Sequence, residues 1–509
     1  DALSSPYSKE WGKVIEIENE TLNDHGTFAI VDKPKYCRIL GTRYVFAIKS
    51  DKNGCIKRFK ARLVVKGYNM VKDEQYGETF APVCSLTTAL TLMTYGVRNK
   101  CNLHLLDFQG AFLHSSMPEQ YEVYIQTPMG LKIGSHQVVR LAKSLYGTKN
   151  AGNLWFEDLR ATLLKLNFKQ SVQDPCLFIY RKKPVEIYLT TFVDDVILVD
   201  NNAPATESLI STIKDKGFKI SSFEELQWYI GLKIDIKDSV LKISQEVYTT
   251  DLLKKYKYED CKAVGIPMDQ NNKPNKDDQP DAVDISILKP YRSLLGSLSH
   301  LARFTRPDIK FAVFYLARYQ ARPGERHLKG LFRILRYLKG TLSAGLTFNT
   351  NDDLLTVYCD SDHAGCVDTR RSTSGYVFFM YGGPILTKTI QQKSVALSST
   401  EAEVLALSRC VRDLIWVRNL LSEFNLPIGK TKVYEDNSGA ISIANNSALC
   451  QAAKHIAIAY TFIREKVRKN LIVIAKIDGT KNIADIFTKP VKTAAHKYLK
   501  EFLHSGLKE

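Results

Sequence analysis

Residues 191–199 read TFVDDVILV, an apolar run that is interrupted by the adjacent acids Asp194 and Asp195. Phenylalanine, valine, isoleucine and leucine flank the acids and are typical of β-strands, so the pattern predicts a tight hairpin with the acid pair at its tip. A second short apolar run, Leu103–Leu106, predicts a strand that ends at Asp107. If the two strands pair side by side, three carboxylates share a small space and raise one another's pKa unless cations neutralise them.

Magnesium is the cation that such a group of acids favours. Mg²⁺ prefers hard oxygen ligands and shares its coordination shell with substrate phosphates. The same residues allow a simpler interpretation, in which the two aspartates only close a turn, where aspartate is common. The hairpin alone leaves both interpretations open.

Longer strings around these acids carry more information. In chain order they are KARLVVKGY (60–68), SLYGTKNAGNLWFEDL (144–159), TFVDDVILV (191–199), YRSLLGSLSHLARFTRPDIKFAV (291–313), YCDSDHAGCVDTRRSTSGYVFF (358–379), ALSSTEAEVLAL (396–407) and KNIADIFTKP (481–490). Together they resemble the polymerase and ribonuclease H portion of the Pol polyprotein of copia-type LTR retrotransposons. The resemblance runs over nearly the whole chain.

This resemblance implies a fold and a domain order. The expected fold is an α+β multidomain protein, a right-hand polymerase with fingers, palm and thumb followed by an α/β ribonuclease H-like domain. We expect fingers and palm over residues 1–240, the thumb and connecting helices over 241–350, and the ribonuclease H-like domain over 351–509.

The implied activities are RNA-directed DNA synthesis on retrotransposon RNA and ribonuclease H cleavage of the RNA in RNA/DNA hybrids, both by two-metal phosphoryl transfer. The implied cofactor is Mg²⁺, with Mn²⁺ as an alternative, at two ions per active site. The implied partners are an RNA template, a DNA primer strand, the RNA/DNA hybrid, deoxynucleoside triphosphates and a tRNA-derived primer, with a homo-oligomer as an open alternative and no membrane. The implied location is the cytoplasm, within virus-like particles, or the nucleus.

The resemblance also assigns polymerase residues. The implied catalytic metal ligands are Asp107, Asp194 and Asp195. The implied nucleotide-binding residues are Lys60 and Arg62 on a predicted fingers hairpin, Phe112 as a steric gate against the ribose 2′-hydroxyl, and Asn150. For Lys60 and Arg62 a solvated charged face is the alternative, and for Phe112 it is a core position. Relatives usually carry glutamine where Asn150 stands and proline where Gly152 stands, and this departure predicts a less efficient nucleotide contact.

The implied ribonuclease H ligands are Asp360, Glu403, Asp436 and Asp485. Ser398-x-x-Glu401 and Thr400-x-x-Glu403 both read as capping boxes at the start of an amphipathic helix, so one glutamate serves as a cap. We expect that glutamate to be Glu401, because Glu403 directly precedes the apolar run.

His455 is a candidate for product release near the metals, with a plain surface histidine as the alternative. Ala457 and Thr461 stand where the family usually has aspartate and histidine, which predicts a weakened nuclease domain. All seven acids are present, whereas a decayed or co-opted nucleic-acid-binding protein is expected to lose some of them. That binding protein, and a polymerase with an inactive nuclease, remain the alternatives.

Composition agrees with a nucleic-acid enzyme. The 509 residues carry a net charge of +17, which suits a polyanionic partner because each neutralised phosphate releases counterions. The ten cysteines are scattered and predict free thiols in a reducing compartment. Cys359, His363 and Cys366 lack a fourth zinc ligand, so we expect packing roles for them. There is no membrane-length apolar stretch or secretory signal, and the first residue, Asp1, suggests a piece of a longer product.

Overall fold

The computed structural model of the chain describes residues 2–50, 56–349, 353–445 and 456–505. It falls into two compact units, one formed by residues 1–84 and 104–224 and the other by residues 85–103 and 225–509. Each unit contains both helices and sheets, so the predicted α+β multidomain class is confirmed. The predicted domain boundaries at residues 240 and 350 stay predictions.

The helices and strands of the described residues have the following bounds. The α-helices are α1 (Ser8–Asp24), α2 (Leu86–Arg98), α3 (Ala151–Lys165), α4 (Ala203–Asp215), α5 (Glu246–Lys255), α6 (Ile285–Phe304), α7 (Lys310–Ala317), α8 (Glu325–Lys339), α9 (Ser399–Glu423), α10 (Ser438–Asn445), α11 (Ala457–Arg468) and α12 (Thr493–Ser505). The strands are β1 (Phe28–Asp32), β2 (Ile39–Leu40), β3 (Thr42–Ser50), β4 (Ile56–Val65), β5 (Asn102–Phe108), β6 (Tyr124–Ile125), β7 (Gln137–Leu141), β8 (Lys169–Gln170), β9 (Leu177–Lys182), β10 (Val185–Phe192), β11 (Asp195–Asp200), β12 (Ile220–Glu225), β13 (Trp228–Tyr229), β14 (Leu232–Lys237), β15 (Val240–Ser244), β16 (Leu346–Asn349), β17 (Thr356–Ser361), β18 (Thr373–Met380), β19 (Gly383–Gln391), β20 (Thr431–Glu435) and β21 (Ile472–Lys476).

A six-stranded sheet of order β12-β5-β11-β10-β9-β8 carries the acidic hairpin. Strands β10 and β11 pair antiparallel, and the last pair before the turn is Phe192 with Asp195. Val193 and Asp194 therefore form a two-residue turn, and Val193 has a φ of 59°. Strand β5 lies next to β11, so the side-by-side pairing predicted from the sequence is confirmed.

The fingers hairpin is also present, since β3 and β4 pair antiparallel from Thr42 with Val65 onward. Its predicted turn, residues 51–54, lies outside the described residues. Helix α1 packs against β4 through Trp11, whose ring lies 4.6 Å from that of Phe59. Sequence reasoning missed this helix, although Trp11, Ile15 and Leu22 follow helical spacing and are buried.

The second unit contains a helical cluster and a five-stranded sheet. Helices α6, α7 and α8 share one apolar core, and all three lie within residues 241–350, where the thumb and connecting helices were expected. The sheet has the order β19-β18-β17-β20-β21, with β17, β20 and β21 parallel to one another. The mixed α/β character that was predicted for the last part of the chain is therefore confirmed. No helix in the described ranges is both long and apolar enough to cross a membrane.

Candidate active sites

Two hydrogen bonds to the carbonyl oxygen of Val193 stabilise the turn that carries Asp194. The indole Nε1 of Trp155 donates to the carbonyl oxygen of Val193 at 2.7 Å, and the hydroxyl of Thr191 donates to the same oxygen at 3.1 Å. These bonds fix a turn in which Val193 occupies the left-handed region, which is costly for a β-branched residue. The acids at the tip are thereby held in one position.

Asp107 stands near the end of β5, beside this turn. The backbone amide of Phe108 donates to the carbonyl oxygen of Asp194 at 3.4 Å, so the two acid-bearing segments adjoin. The Ser221 hydroxyl donates to the Asp107 carboxylate. Burial, with smaller contributions from the charges of Asp194 and Asp107, raises the pKa of Asp195 to about 6. The structure therefore brings together the three acids that the sequence pattern predicted to be close.

A cavity of about 940 Å³ opens in front of two of these acids. Asp107 and Asp194 line it on one side, and the hairpin residues Lys60 and Arg62 line it as well. Both cations lie on one face of β4, since their neighbours Ala61 and Leu63 are buried. The cavity thus presents carboxylates and cations to the same space, an arrangement suited to a triphosphate with its metal ions.

Tyr146 also lines the cavity and contacts two predicted nucleotide residues. The guanidinium of Arg62 lies 4.7 Å from the Tyr146 ring centroid, and the Phe112 ring packs edge-on at 5.4 Å. Gly147 has a φ of 90°, and a Cβ there would come within 2.2 Å of the Val65 carbonyl oxygen. Only glycine lets this turn pack so closely on β4, which keeps Tyr146 beside Arg62.

Glu18 of helix α1 is a further charged residue of this cavity. Its Oε1 accepts a hydrogen bond from the backbone amide of Leu63 at 3.0 Å. Burial raises the pKa of Glu18, although that hydrogen bond and the charges of Arg62 and Lys60 oppose the rise. Glu18 therefore ties α1 to the strand that carries both cations.

The second acid cluster lies on the five-stranded sheet. Asp360 lies near the carboxyl end of β17, and Asp436 directly follows the adjacent parallel strand β20. Parallel strands bring their carboxyl ends to the same edge of a sheet. Asp485 reaches this edge from the 3₁₀ turn Ile483–Phe487, and carboxylate oxygens of the three aspartates lie within 4.8 Å of one another.

Two buried glutamates complete the cluster. Carboxylate oxygens of Glu403, Glu435 and Asp436 also lie within 4.8 Å of one another. Glu403 and Glu435 are 5% and 0% exposed, and one oxygen of each has no hydrogen-bond partner within the described residues. Burial raises the pKa of both well above the usual range, and the neighbouring carboxylates raise it further.

The two candidate glutamates of α9 have different environments. The Glu401 carboxylate accepts a hydrogen bond from the Leu397 amide at 2.7 Å, while the Ser398 hydroxyl accepts one from the Glu401 amide. Ser398 is therefore the N-cap of the helix, and Glu401 supports this cap through the amide of Leu397 rather than through that of Ser398, which a strict capping box would require. Glu403 lies in the acid cluster, which is the arrangement that the sequence analysis preferred.

The nuclease cluster fits divalent cations by its donor set. Five carboxylates converge on one sheet edge, and two of them are buried with an unpartnered oxygen. Burial raises the pKa of Asp485 to about 7, and repulsion from Asp360 contributes to this rise. Such a concentration of acids is neutralised by hard cations with oxygen preference, as expected for Mg²⁺ or Mn²⁺.

Cys359, His363 and Cys366, for which packing roles were expected, lie in the following surroundings. Cys359 and Cys366 are buried free thiols, and Nε2 of His363 lies 3.2 Å from the Ala396 carbonyl oxygen. Within the described ranges, none of the three belongs to a cluster that could hold a metal ion.

Comparison with known proteins gives the family. Residues 25–270 match the family model described as reverse transcriptase (RNA-dependent DNA polymerase). The retrovirus-related Pol polyprotein from transposon TNT 1-94 of Nicotiana tabacum is 34% identical over 99% of this chain and 39% of its own length. The one from transposon RE1 of Arabidopsis thaliana is 32% identical over 97% of this chain and 34% of its own length.

The chain belongs to the copia-type retrotransposon Pol family. The predicted reverse transcriptase and ribonuclease H portion is thereby confirmed. This copia-type chain spans between a third and two fifths of the length of these two relatives. Among solved structures, the prototype foamy virus protease-reverse transcriptase is 14% identical over 96% of this chain and 55% of that chain, with a TM-score of 0.27.

Two predicted nucleotide residues of this copia-type chain lie away from the cavity surface. The side chain of Asn150 is 2% exposed, at the start of α3, and Phe112 packs against Tyr146 but does not line the cavity. Gly152 lies in the first turn of α3, with Ala81 3.2 Å from its ideal Cβ position. The roles assigned to Phe112 and Asn150 stay predictions, and the aromatic residues in the cavity lining are Phe59, Phe108 and Tyr146.

Three residues of the two sites were missed by sequence reasoning. Tyr146 lies in the quoted string 144–159, and its position before a glycine turn was a usable signal. Glu435 precedes Asp436 at the end of a strand, so an acid pair again marked the site. Glu18 gave no such signal, because it becomes part of the cavity only through the packing of α1 on β4. His455 lies outside the described residues, and its role stays a prediction.

Proposed function

We propose that this chain is an RNA-directed DNA polymerase that also cleaves the RNA of RNA/DNA hybrids. The observation that carries the proposal is the presence of two separate acid clusters, one in each compact unit. Each cluster joins residues that are far apart in the chain. The family membership supports the same pair of activities.

In the polymerase unit, Asp107, Asp194 and Asp195 would hold two Mg²⁺ or Mn²⁺ ions. Lys60 and Arg62 bind the triphosphate of the incoming deoxynucleotide, because they face the same cavity as the acids. Tyr146 supports the Arg62 guanidinium from one side, and Glu18 anchors the strand that carries it. The nucleophile is the 3′-hydroxyl of a DNA primer that is paired with an RNA template.

In the nuclease unit, Asp360, Glu403, Asp436 and Asp485 would hold two ions, with Glu435 beside them. Glu403 and Glu435 are buried, so water is excluded from their side of the cluster. The open side faces solvent through the partly exposed Asp436 and Asp485, where the RNA strand of a hybrid would lie. When bound, paired divalent ions supply activation of the attacking oxygen and neutralise charge on the leaving oxygen in both reactions.

A positive surface supports binding of the substrates. The chain carries 71 lysine and arginine residues against 54 acids, so phosphate contacts can supply much of the affinity for a template-primer or hybrid. This affinity would persist in a protein that has lost catalysis. Binding alone therefore does not distinguish an enzyme from a co-opted binding protein.

Two assays on the same purified chain test the proposal. One follows extension of a DNA primer on an RNA template, and the other follows a labelled RNA strand in a preformed hybrid, each with Mg²⁺, Mn²⁺ or EDTA. We expect both activities with metal and neither with EDTA. Extension without cleavage would identify a polymerase with an inactive nuclease, and hybrid binding without either reaction would identify a binding protein.

A further inference from the structure

Lys489 places a positive charge inside the nuclease acid cluster. Its Nζ lies 2.9 Å from Asp485 Oδ1 and 3.9 Å from Asp360 Oδ2. The backbone amide of Lys489 donates to the Asp485 carbonyl oxygen at 3.2 Å, which sets the two side chains one helical turn apart. The preceding residue, Thr488, donates its hydroxyl hydrogen to the Asp360 carboxylate. The segment therefore contacts two of the clustered aspartates.

The two carboxylates that Lys489 contacts are also candidate ligands of a divalent ion. Asp360 and Asp485 belong to the group whose oxygens lie within 4.8 Å of one another. An ammonium 2.9 Å from one of them occupies one face of that group. The Lys489 side chain is 41% exposed, so it can move outward into solvent without leaving a buried cavity.

We propose that Lys489 is a resident counter-cation that competes with divalent metal for Asp360 and Asp485. It is a positioning residue, because it acts on the metal ligands rather than on the reacting atoms. Without metal it holds the two carboxylates together against their mutual repulsion, and when metal enters its ammonium leaves them. The inference rests on the proposed function of this cluster. It adds that Lys489 sets the metal concentration at which the cluster binds its ions.

The charge of Lys489 stabilises the metal-free chain and destabilises the metal-bound chain. In the metal-free chain the ammonium attracts the carboxylates, so its removal leaves their repulsion uncompensated. In the metal-bound chain the ammonium and the divalent ion repel each other, so the same removal favours the metal. A lysine with a purely structural role would stabilise both states in the same direction.

The test measures Mn²⁺ binding to the full chain by electron paramagnetic resonance in the absence of nucleic acid. All variants carry Asp107→Asn, Asp194→Asn and Asp195→Asn, which remove the three proposed polymerase ligands. We expect Lys489→Met to lower the half-saturating Mn²⁺ concentration of the nuclease cluster roughly tenfold and to lower the melting temperature in EDTA. Lys489→Arg should retain the parent affinity. Lys492→Met, which removes an exposed lysine three residues further on, should change neither quantity.

A second measurement uses the chain with Lys489 intact. It therefore tests the proposal even if Lys489→Met folds poorly. Acetylation of lysines is followed by mass spectrometry with and without saturating Mn²⁺. Release of the ammonium should raise the acetylation rate of Lys489 several-fold, while Lys492 serves as the internal reference.

The outcomes separate this inference from the proposed function. Unchanged or weaker Mn²⁺ binding by Lys489→Met, or unchanged acetylation of Lys489, would overturn the competition. If Asp360→Asn leaves the number of bound Mn²⁺ ions unchanged, the cluster is not a metal centre and the proposed nuclease function fails instead. If Asp360→Asn loses a bound Mn²⁺ ion and Lys489→Met binds Mn²⁺ as the parent does, the competition is rejected and the proposed nuclease function stands.

Discussion

Trp155 donates its indole N–H to the carbonyl oxygen of Val193 at 2.7 Å, and this bond connects helix α3 to the turn that carries Asp194. Trp155 is 1% exposed, so the bond is shielded from water. Shielding strengthens a hydrogen bond and makes its loss expensive. The position of Asp194 therefore depends on a helix that lies well before it in the sequence.

Asp194→Asn is expected to abolish primer extension while leaving hybrid binding largely intact. The change removes one carboxylate from the proposed metal site, whereas affinity for the duplex comes mainly from phosphate contacts. Extension and filter binding are measured on the same preparation. Asp215→Asn, at an exposed position on α4, is the control for a lost charge. Extension by Asp194→Asn at more than about a tenth of the parent rate would contradict its role as a metal ligand.

Phe112→Val is expected to raise the incorporation of ribonucleotides. In the structure the Phe112 ring packs edge-on against Tyr146, so a smaller residue at position 112 leaves Tyr146 room to shift and widens the proposed nucleotide cavity. Tyr146→Phe keeps the ring and serves as the control. The measurement is the ratio of deoxynucleotide to ribonucleotide incorporation for each variant. An unchanged ratio in Phe112→Val would assign Phe112 to the core.

Gly147→Ala is expected to destabilise the chain more than Gly217→Ala. Both glycines have a φ near 90°, so each substitution carries the strain of a left-handed backbone, about 1 kcal/mol. Only at Gly147 would the new Cβ meet a backbone oxygen, that of Val65 at 2.2 Å, whereas nothing lies within 4 Å at Gly217. The contact should add about 1–3 kcal/mol to the loss of unfolding free energy. Equal losses in thermal or urea unfolding would show that the turn can shift away from β4.

Asp436→Asn is expected to stop cleavage of hybrid RNA and leave DNA synthesis near normal, because the two acid clusters share no residue. In the same assay Glu401→Gln should cost much less activity than Glu403→Gln. Glu401 supports the cap of α9, and a lost cap weakens a protein by about 1 kcal/mol, whereas Glu403 lies among the acids. Labelled RNA is followed for each purified variant. Greater damage from Glu401→Gln would reverse the assignment of the two glutamates.

Without metal, stability is expected to fall as pH rises from about 4 to about 6, in part because of Asp195. Its pKa is raised from 3.8 to about 6 in the folded chain, chiefly by burial. The folded chain therefore binds more protons than the unfolded chain in this window, so the free energy of unfolding falls as pH increases. Asp195→Asn should flatten the melting temperature against pH in EDTA, whereas Glu207→Gln, at an exposed position, should follow the parent. If the melting temperature of Asp195→Asn changes with pH as that of the parent does, Asp195 is not a source of the pH dependence.

The local pattern of apolar residues predicted the acidic hairpin, whereas the fingers hairpin and the thumb helices were expected from the family resemblance. The helical spacing of apolar residues in FEDLRATLLKLNF (156–168) predicts that Leu159, Leu163, Leu164 and Leu166 pack beneath a sheet, and Leu159 and Leu163 are buried. Leu164, however, is 39% exposed. It directly follows Leu163, and adjacent residues on a helix do not face the same side.

The site residues that escaped prediction depend on packing between distant segments. Glu18 reaches the cavity because α1 lies against β4, and no local pattern contains that contact. Glu435 was overlooked because the family pattern requires only one acid at the end of this strand, and Asp436 already matched it. Phe112 matched a family position, but the sequence could not show that its ring contacts Tyr146, which also contacts Arg62.

The parallel pairing of β17, β20 and β21 has a consequence for the order of events during synthesis of the chain. Strand β20 cannot be flanked on both sides until Ile472–Lys476 has been made, and Asp485 follows later still. Non-local parallel pairings form slowly, and chains fold from the amino end as they emerge. The acids of the polymerase cluster all precede residue 196, so they can assemble while the nuclease sheet is still incomplete. A nascent chain would then gain the capacity to build a strand before it gains the capacity to degrade one.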